Sequence, residues 1–332
     1  MFNYKVYNLS WVYKFTINIK DVKNLPSFTA NESGWQGECK LLLNYNFETT
    51  TIENTDIIHI YKDTSLLYTW IVQDVFRKIT NNSEEVELPL LWLWTLPTYL
   101  LYKDTWSYVF SKNQDPSVII KNIIDYINTT YTAWWLNYDV WSIETYWTVV
   151  DIDFDHDTCL DAIKKCIATT DFKLFIDKDW KVYFKSKPVS ATHILIVWKD
   201  VEQINLEEDS EKLVNRLILK RKSWTTIYED TTSQTNYWLK ELYLEKTDLA
   251  DSVSANEFWN NYISTYKNPI NKTSIRINNN FTLENIKVSD TIQVKNFNYI
   301  INNLQIVKYS YTIDKMKLEL EVFDSFGKEL IS

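Results

Sequence analysis

Glycine is scarce in this chain, which has 332 residues and only 3 glycines, whereas ordinary usage would supply about 23. With 6 prolines and 3 cysteines, the composition excludes a collagen-like chain and a disulfide scaffold. Hydrophobic residues make up 45% of the sequence, which is enough for a packed core and excludes an intrinsically disordered chain. The length predicts more than one domain.

Long apolar runs and an excess of basic charge are also missing. No stretch approaches 18 uncharged apolar residues, and the first 15 residues alternate between polar and apolar, so we expect no membrane span and no secretory signal. The formal net charge is -9, from 35 Lys and Arg against 44 Asp and Glu. Because basic charge supplies most nonspecific affinity for nucleic acid, we expect no specific nucleic-acid binding.

Tryptophan, in contrast, occurs 15 times, often where a turn would favour glycine. Trp180 follows Lys-Asp between two alternating strand patterns, a place where a hairpin favours Asp-Gly because φ becomes positive. Four other tryptophans occupy similar turn or bulge contexts, and a further one interrupts a long strand, where glycine marks a bend. These are Trp35, Trp106, Trp198, Trp224 and, within the strand, Trp70.

Two interpretations of this tryptophan excess remain open. In some bacterial lineages and their viruses the codon UGA is read as glycine, so translation with another code would write Trp at glycine positions. The 15 tryptophans and 3 glycines together come close to an ordinary glycine content. Alternatively, the chain is a Trp-rich binding protein whose exposed rings stack on sugars or peptides. The codons at Trp180 and Trp224 distinguish the two.

The pattern along the chain predicts three regions. Residues 1–110 form an N-terminal β-rich domain, with strands expected at 2–9, 12–19, 39–45, 56–61, 66–78 and 84–91. Residues 111–190 form a small α+β domain: Asp115 caps a helix with Pro116 at its first position, and a second helix follows residues 151–157. Residues 191–332 form a β-barrel-like domain with one helix at 252–266 and strands at 201–206, 212–222, 236–245, 274–277, 285–294, 299–306 and 315–322. The predicted fold class is therefore α+β, β-rich, with two β-barrel-like domains flanking a small α+β insert.

Three phrases within this order resemble bacteriophage tail hub proteins of the baseplate, the superfamily that includes late control protein D. Residues 67–72, Leu-Tyr-Thr-Trp-Ile-Val, resemble an early strand of that family, with Trp70 in the place of its glycine. Residues 148–187 resemble its helix-and-hairpin insert. Residues 286–294, Ile-Lys-Val-Ser-Asp-Thr-Ile-Gln-Val, resemble a late turn in which Ser289 stands where glycine is usual.

The resemblance implies a homotrimeric ring at the distal end of a tail tube, which passes symmetry to a threefold spike. The implied partners are other copies of the chain, a tail tube or distal tail protein, and a tail spike or fibre protein. The implied location is the virion tail, assembled in the bacterial host cytoplasm. An acidic lumen wall, which does not hold DNA, would suit such a ring.

Residues with catalytic or metal-binding chemistry are present but match no motif. Asp151, Asp153, Asp155 and Asp157 could suggest a Ca²⁺ loop, but Ile152 and Phe154 alternate with them and position 12 of the loop is Ala162 rather than Glu. We therefore expect a strand edge that leads into a helix N-terminus. The three histidines lie apart in sequence and belong to no recognisable motif; they are His59, His156 and His193.

The remaining candidates favour structural roles. Cys39, Cys159 and Cys166 lack metal-ligand spacing, and the last two lie about 10 Å apart on a predicted helix, too far to bridge; buried free thiols are expected. The basic triplet at 220–222 is expected to be a solvated strand end. Three glutamates are candidates for the acidic pair of a cell-wall hydrolase only because they carry carboxylates. A charged hairpin flank is the simpler interpretation of these residues, which are Glu84, Glu85 and Glu87.

Together with the lack of catalytic motifs, the resemblance implies a non-enzymatic structural subunit of a phage or prophage tail, with no catalytic residues, cofactor or metal site. Two alternatives stay open. One is a carbohydrate-binding adhesion module that uses real tryptophans as stacking platforms. The other is a tail-associated cell-wall hydrolase, which would need two carboxylates about 5 to 9 Å apart in a cleft.

Overall fold

The computed structural model describes residues 2–24, 27–31, 39–44, 52–80, 83–92, 97–131, 136–177, 180–186, 190–222, 224–278, 286–287, 290–295, 300–312 and 317–324. All three glycines lie outside these ranges. Within them the chain forms a β-rich α+β structure with two larger sheets, three smaller ones and few helices.

The first sheet is antiparallel and has the order β2-β1-β5-β6-β8-β4, with β7 paired to β8. Its strands alternate apolar and polar residues where one face is solvated; in β1, Phe2, Tyr4 and Val6 are buried and the residues between them are not. The strands are β1 (Phe2–Tyr7), β2 (Tyr13–Asn18), β4 (Cys39–Asn44), β5 (Ile57–Lys62), β6 (Ser65–Val72), β7 (Phe76–Thr80) and β8 (Ser83–Trp92). A short 3-10 turn, Ile19–Asp21, follows β2.

A compact mixed segment follows. Strands β9 (Val109–Gln114) and β10 (Val150–Asp155) pair antiparallel, and helix α1 (Pro116–Thr130) lies between them in the sequence. The helix begins where Asp115 accepts a hydrogen bond from the amide of Ser117 at 2.7 Å. Helix α2 (Cys159–Ala168) packs on α1, and β11 (Lys173–Ile176) pairs with β12 (Val182–Lys185). The isoleucines of α1 recur at helical spacing and are buried, so the apolar stripe holds the segment together.

The second large sheet has the order β13-β19-β20-β21-β18-β14. Its strands are β13 (His193–Ile196), β14 (Val201–Asp209), β18 (Ile270–Ile277), β19 (Thr291–Lys295), β20 (Ile300–Thr312) and β21 (Lys317–Asp324). Strand β3 (Ser27–Asn31) comes from the N-terminal region and pairs with β20. The described part of the first 110 residues therefore contributes to both large sheets.

A three-stranded sheet, β16-β15-β17, lies within the C-terminal region. Its strands are β15 (Arg216–Lys220), β16 (Thr225–Glu229) and β17 (Glu241–Glu245). Helix α4 (Thr231–Tyr237) connects β16 to β17, helix α5 (Ser252–Tyr266) covers the inner face with Phe258, Trp259 and Ile263, and a single turn, α3 (Val197–Asp200), precedes β14.

Several predicted elements agree with the structure. Asp115 and Pro116 begin α1 as predicted, and α5 has the predicted bounds. Other predictions were wrong. Within its described residues, the region 191–332 has three helices, α3, α4 and α5, and not one, and the strand predicted at 212–222 is limited to Arg216–Lys220. Residues 66–78 form two strands, β6 and β7, and not one. The strand predicted from residue 236 begins only at Glu241, because the residues before it form α4, whose polar sequence carries no apolar stripe.

Candidate functional site

The acidic run lies on β10 and in the turn after it. Ile152 and Phe154 point into the core, whereas the aspartates alternate outward. Asp157 forms an ion pair with Lys165, whose Nζ lies 2.6 Å from Oδ2 and also donates to the carbonyl of Asp153 at 3.0 Å. The Asp157 carboxylate is thus held by a local partner, and the described residues contain no group of His, Cys, Asp and Glu suited to a metal ion.

The segment after this run is the predicted helix N-terminus. The hydroxyl of Thr158 accepts a hydrogen bond from the amide of Asp161 at 3.1 Å and donates to the Asp161 carboxylate at 2.7 Å. An acidic side chain in the first turn of α2 is stabilised by the helix dipole. The expectation of a strand edge that leads into a helix is therefore confirmed.

Asp151 has a more unusual environment than its neighbours. Burial raises the pKa of its carboxyl, and the nearby carboxylates of Asp251 and Asp153 raise the pKa further. Asp251 caps α5 by accepting a hydrogen bond from the amide of Ser254 at 2.7 Å. It was not among the residues predicted from the sequence, although an Asp directly before a helical stripe was the available signal. The Ser254 hydroxyl in turn joins the main chain of Asp151, so this contact is structural.

The three histidines occupy separate elements. His59 lies on β5 among the rings of Tyr7, Trp11 and Tyr61, and burial together with the charge of Lys5 lowers its pKa to about 4. His156 is exposed in the turn after β10, with Nδ1 2.7 Å from Asp155. On β13, the Nε2 of His193 lies 2.7 Å from the carboxylate of Asp290.

All three cysteines are buried and free, as predicted. Burial raises the pKa of the Cys39 thiol and of the Cys159 thiol to about 12, and it raises the pKa of Cys166 as well. Since the thiolate is the nucleophile and the metal ligand, these residues act as small apolar side chains at neutral pH.

The basic triplet and the glutamates sit at strand ends and flanks. Lys220 ends β15, but Arg221 is buried, because its guanidinium donates to the carbonyl of Asp251 at 2.6 Å; a fully solvated triplet was therefore the wrong expectation. Lys222 is exposed. Glu84, Glu85 and Glu87 lie on β8 in the β7–β8 hairpin, where an ion pair with Lys23 lowers the pKa of Glu85.

One exposed sheet face stands out among these surfaces. In the β16-β15-β17 sheet, Ile227, Ile218 and Tyr243 lie in register and form an apolar row. The row beside it is charged: the guanidinium of Arg216 lies 2.8 Å from Glu229 and 3.0 Å from Glu241. Ile227 and Tyr243 are more than half exposed, so this face resembles a contact surface more than a catalytic cleft.

The tryptophans fall into distinct structural classes. Trp70 is fully buried within β6, in which the register shift against β5 falls at Leu67 rather than at Trp70 itself, and Trp198 lies in the turn α3. Trp106 lies in a tight turn as predicted, but the positive φ belongs to Thr105. Trp224 is exposed without a positive φ, and Trp35 lies outside the described residues.

Within the described ranges four tryptophans have a positive φ angle, and we call them the left-handed tryptophans: Trp11 (62°), Trp147 (71°), Trp180 (70°) and Trp238 (61°). Of these the sequence analysis identified only Trp180. The turn residues Asn8 and Ser10 were an available signal for Trp11. Trp238 follows the end of α4, but that helix has no apolar stripe that would reveal it in the sequence.

No known protein-family profile matches the sequence, and no curated protein matches it. The fold, however, matches solved structures. A tail protein from Neisseria meningitidis superimposes with a TM-score of 0.66 at 9% identity and covers 97% of this chain and 96% of its own. A 43 kDa prophage tail protein from Shewanella oneidensis gives 0.66 at 11% identity, over 98% of this chain and 99% of its own.

A third match extends the comparison to secretion machinery. A component of the type VI secretion system of E. coli, described as structurally similar to T4 bacteriophage tail proteins, gives a TM-score of 0.51 at 11% identity over 92% of this chain and 76% of its own. The chain therefore has the fold of phage tail proteins and their secretion-system counterparts. The phage tail fold that the three sequence phrases predicted is thus confirmed at the level of the fold.

Proposed function

We propose that this protein is a structural subunit of a phage or prophage tail, placed at the baseplate hub or tail tip, where it links the tail tube to a distal spike. The observation that carries this proposal is the end-to-end fold match to two tail proteins, each aligned over at least 96% of both chains. A match of one domain alone would fit many functions, whereas a match over the whole chain preserves the arrangement of the sheets.

The proposed assembly is a homotrimer built through sheet edges and sheet faces. Among the described strands, β2 ends the first large sheet, and β13 and β14 end the second. The other end strand of the first sheet, β4, is partly covered, because Leu43 is bridged to Val22. Strand β14 is nine residues long and exposes Leu206. Because open edges invite pairing with another chain, pairing between subunits would satisfy them. The apolar row on the β16-β15-β17 sheet offers a second contact.

The proposed domain division, 1–110, 111–190 and 191–332, accompanies this role, with barrel-like lobes on both sides of the mixed segment. The pairing of β3 with β20 supports lobes that share a sheet rather than independent modules. The proposed partners are other copies, a tail tube or distal tail protein, and a spike or fibre protein, within a virion tail assembled in the host cytoplasm. No helix among the described residues is both long and apolar enough to cross a membrane.

Light scattering of the purified chain tests the assembly. We expect the mass of a trimer, and Leu206→Lys should shift the population towards monomer because a charged edge resists pairing. The matched control is Leu239→Lys, which places the same charge at an exposed leucine outside the strands. A stable monomer for the unsubstituted chain would contradict the trimeric hub.

The same proposal assigns no enzymatic activity to the chain. A glycosidase acid needs a raised pKa, whereas Lys23 lowers the pKa of Glu85. Incubation with purified peptidoglycan should release no more fragments than buffer does. If the unsubstituted chain released fragments and Asp151→Asn abolished that release, the hydrolase alternative would be supported instead.

The adhesion alternative depends on exposed rings. Trp106, Trp141, Trp147 and Trp238 are each at least 79% exposed, as a stacking platform requires. Trp147 and Trp238, however, have a positive φ angle, a backbone conformation that is unfavourable for a residue with an indole side chain. Binding to an array of cell-wall and capsular sugars, lost when Trp106 and Trp141 are replaced, would favour the adhesion module.

A further inference from the structure

The two hairpins that carry Trp11 and Trp180 have the same turn. The amide of Asn8 donates to the carbonyl of Val12 at 2.9 Å, and the amide of Trp11 donates back to the carbonyl of Asn8 at 2.9 Å. In the β11–β12 hairpin the amides of Asp177 and Trp180 form the equivalent bonds, at 3.0 and 2.9 Å. Each is a three-residue loop whose last residue is left-handed, the position that favours glycine.

Trp238 ends helix α4 with φ 61° and ψ 172°, a combination that is essentially restricted to glycine. The backbone there is held by Asn215, a fully buried residue. Its Nδ2 donates to the carbonyl of Trp238 at 2.6 Å, and its Oδ1 accepts from the amide of Lys240 at 2.8 Å. The indole is 84% exposed, so buried main-chain bonds, and not ring packing, impose this conformation.

Trp147 is held in a comparable way. Its amide donates to the carboxylate of Asp115 at 2.7 Å, and Asp115 at the same time caps α1. The ring is 87% exposed. The chain is therefore fixed by a helix cap, while the side chain gains little burial to offset the left-handed conformation.

These positions form an improbable set for tryptophan. Four of the eight non-glycine residues with positive φ in the described part of the chain are Trp, although the non-glycine residues enriched there are Asn, Asp and His. Three unrelated backbone settings all favour glycine. They are the hairpin turn, which occurs twice, the end of a helix, and a loop bound to the cap of a helix. The overall scarcity of glycine in the sequence agrees with this requirement.

We propose that Trp11, Trp147, Trp180 and Trp238 are glycines in the protein as its own host makes it, encoded by UGA and read there as glycine. A host that treats UGA as a stop codon would end the chain at position 11. The gene would then yield full-length protein only in cells that read UGA as an amino acid, and the glycine form only in cells that share this code, which restricts where the particle can be produced. This proposal is independent of the tail function.

At each position we compare the stability of the glycine variant with that of the alanine variant. Because both variants lack the indole ring, the difference between them reports the backbone preference alone. At Trp147 and Trp238, the glycine variant should be more stable than the alanine variant by about tenfold in the folded-to-unfolded ratio, because alanine still disfavours positive φ. Trp141 is the matched control: it is exposed and lies in the same loop as Trp147, but φ is not positive. There alanine should be the more stable, by about threefold.

Denaturant unfolding of these six variants measures the ratios. Alanine variants equal to or more stable than the glycine variants at Trp147 and Trp238 would overturn the backbone argument. The nucleotide sequence supplies the second measurement, which does not depend on any variant folding. UGA at all four positions is expected, and UGG at any of them overturns the proposal whatever the variants show.

Discussion

The β5–β6 and β11–β12 hairpins meet the same backbone requirement with different residues. The first has Asp63 at φ 55° in its turn, and the second has Trp180 at φ 70°. Aspartate tolerates the left-handed region because its short polar side chain can bond locally, whereas Trp180 carries a bulky indole, which is disfavoured there and is buried beside Ile57 and Ile71. The difference shows that hairpin geometry fixes the backbone independently of the residue written in the sequence.

The largest expected effect comes from a tryptophan that occupies an ordinary helical position. Trp259 lies within α5, stacks on Tyr228 with ring centroids 5.3 Å apart and is buried against the β16-β15-β17 sheet. Trp259→Gly should lower the free energy of unfolding by about 4 kcal/mol, because it removes a large buried ring and places glycine inside a helix. Calorimetric or denaturant unfolding measures this loss. An unchanged stability would show that the ring does not pack as described.

The next effect has the opposite sign. Trp238→Gly should raise the free energy of unfolding by about 2 kcal/mol, since it relieves a backbone conformation that costs about 1 to 3 kcal/mol for other residues. Thermal unfolding at fixed protein concentration measures the gain. A loss of stability there would mean that the exposed indole makes a contact that outweighs the backbone term.

A third effect links the β1–β2 turn to a titrating group. The Trp11 ring lies 5.6 Å from the ring of His59, whose pKa burial lowers to about 4. Trp11→Gly should admit water and raise the pKa of His59 by about one unit, worth about 1.4 kcal/mol. NMR titration of the imidazole measures the shift, and Trp147→Gly, in a different region, should leave that pKa unchanged.

The sign of the pH dependence follows from the same group. Because the folded pKa of His59 lies below the ordinary value, the unfolded chain binds the proton more tightly between about pH 4 and 6.5. The contribution of neutral His59 is therefore complete above pH 6.5 and is lost as the pH falls towards 4. Trp11→Gly should flatten this part of the stability profile, and an unaltered slope would contradict the burial of His59 by the ring.

The smallest effect is expected in the hairpin that already has a suitable residue. Asp63→Gly should change the free energy of unfolding by about 0.5 kcal/mol or less, because aspartate already tolerates the left-handed region and glycine adds entropy to the unfolded chain. Denaturant unfolding of the Asp63→Gly and Trp238→Gly variants, measured side by side, compares the two changes in the free energy of unfolding. A gain at Asp63 as large as at Trp238 would remove the distinction between the two kinds of turn.

Local chemistry made much of this fold predictable. The cap at Asp115, the first-turn proline and the apolar spacing of α1 act over a few residues, and α5 is similarly marked. The pairing of β3 with β20 depends on residues far apart in sequence, which no local pattern encodes. Helix α4 lacks an apolar stripe, so the helix end that identifies Trp238 was missed with it.

The candidate sites show the same limit. Alternation predicted that Ile152 and Phe154 turn inward and the aspartates outward, and the cysteines were correctly expected to be buried and free. The bond from Arg221 to the carbonyl of Asp251 could not be predicted, because it joins a strand end to a helix start 30 residues away. Trp147 was missed for the same reason, since its left-handed backbone is held by Asp115, which lies 32 residues earlier.

Peptide mass mapping of this chain, isolated from particles produced in its own host, identifies the residues at positions 147 and 238. We expect the chain to be recovered with purified tails and the peptides spanning these positions to carry the mass of glycine at both. Tryptophan at those two positions, in a chain recovered from the tails, would contradict this expectation.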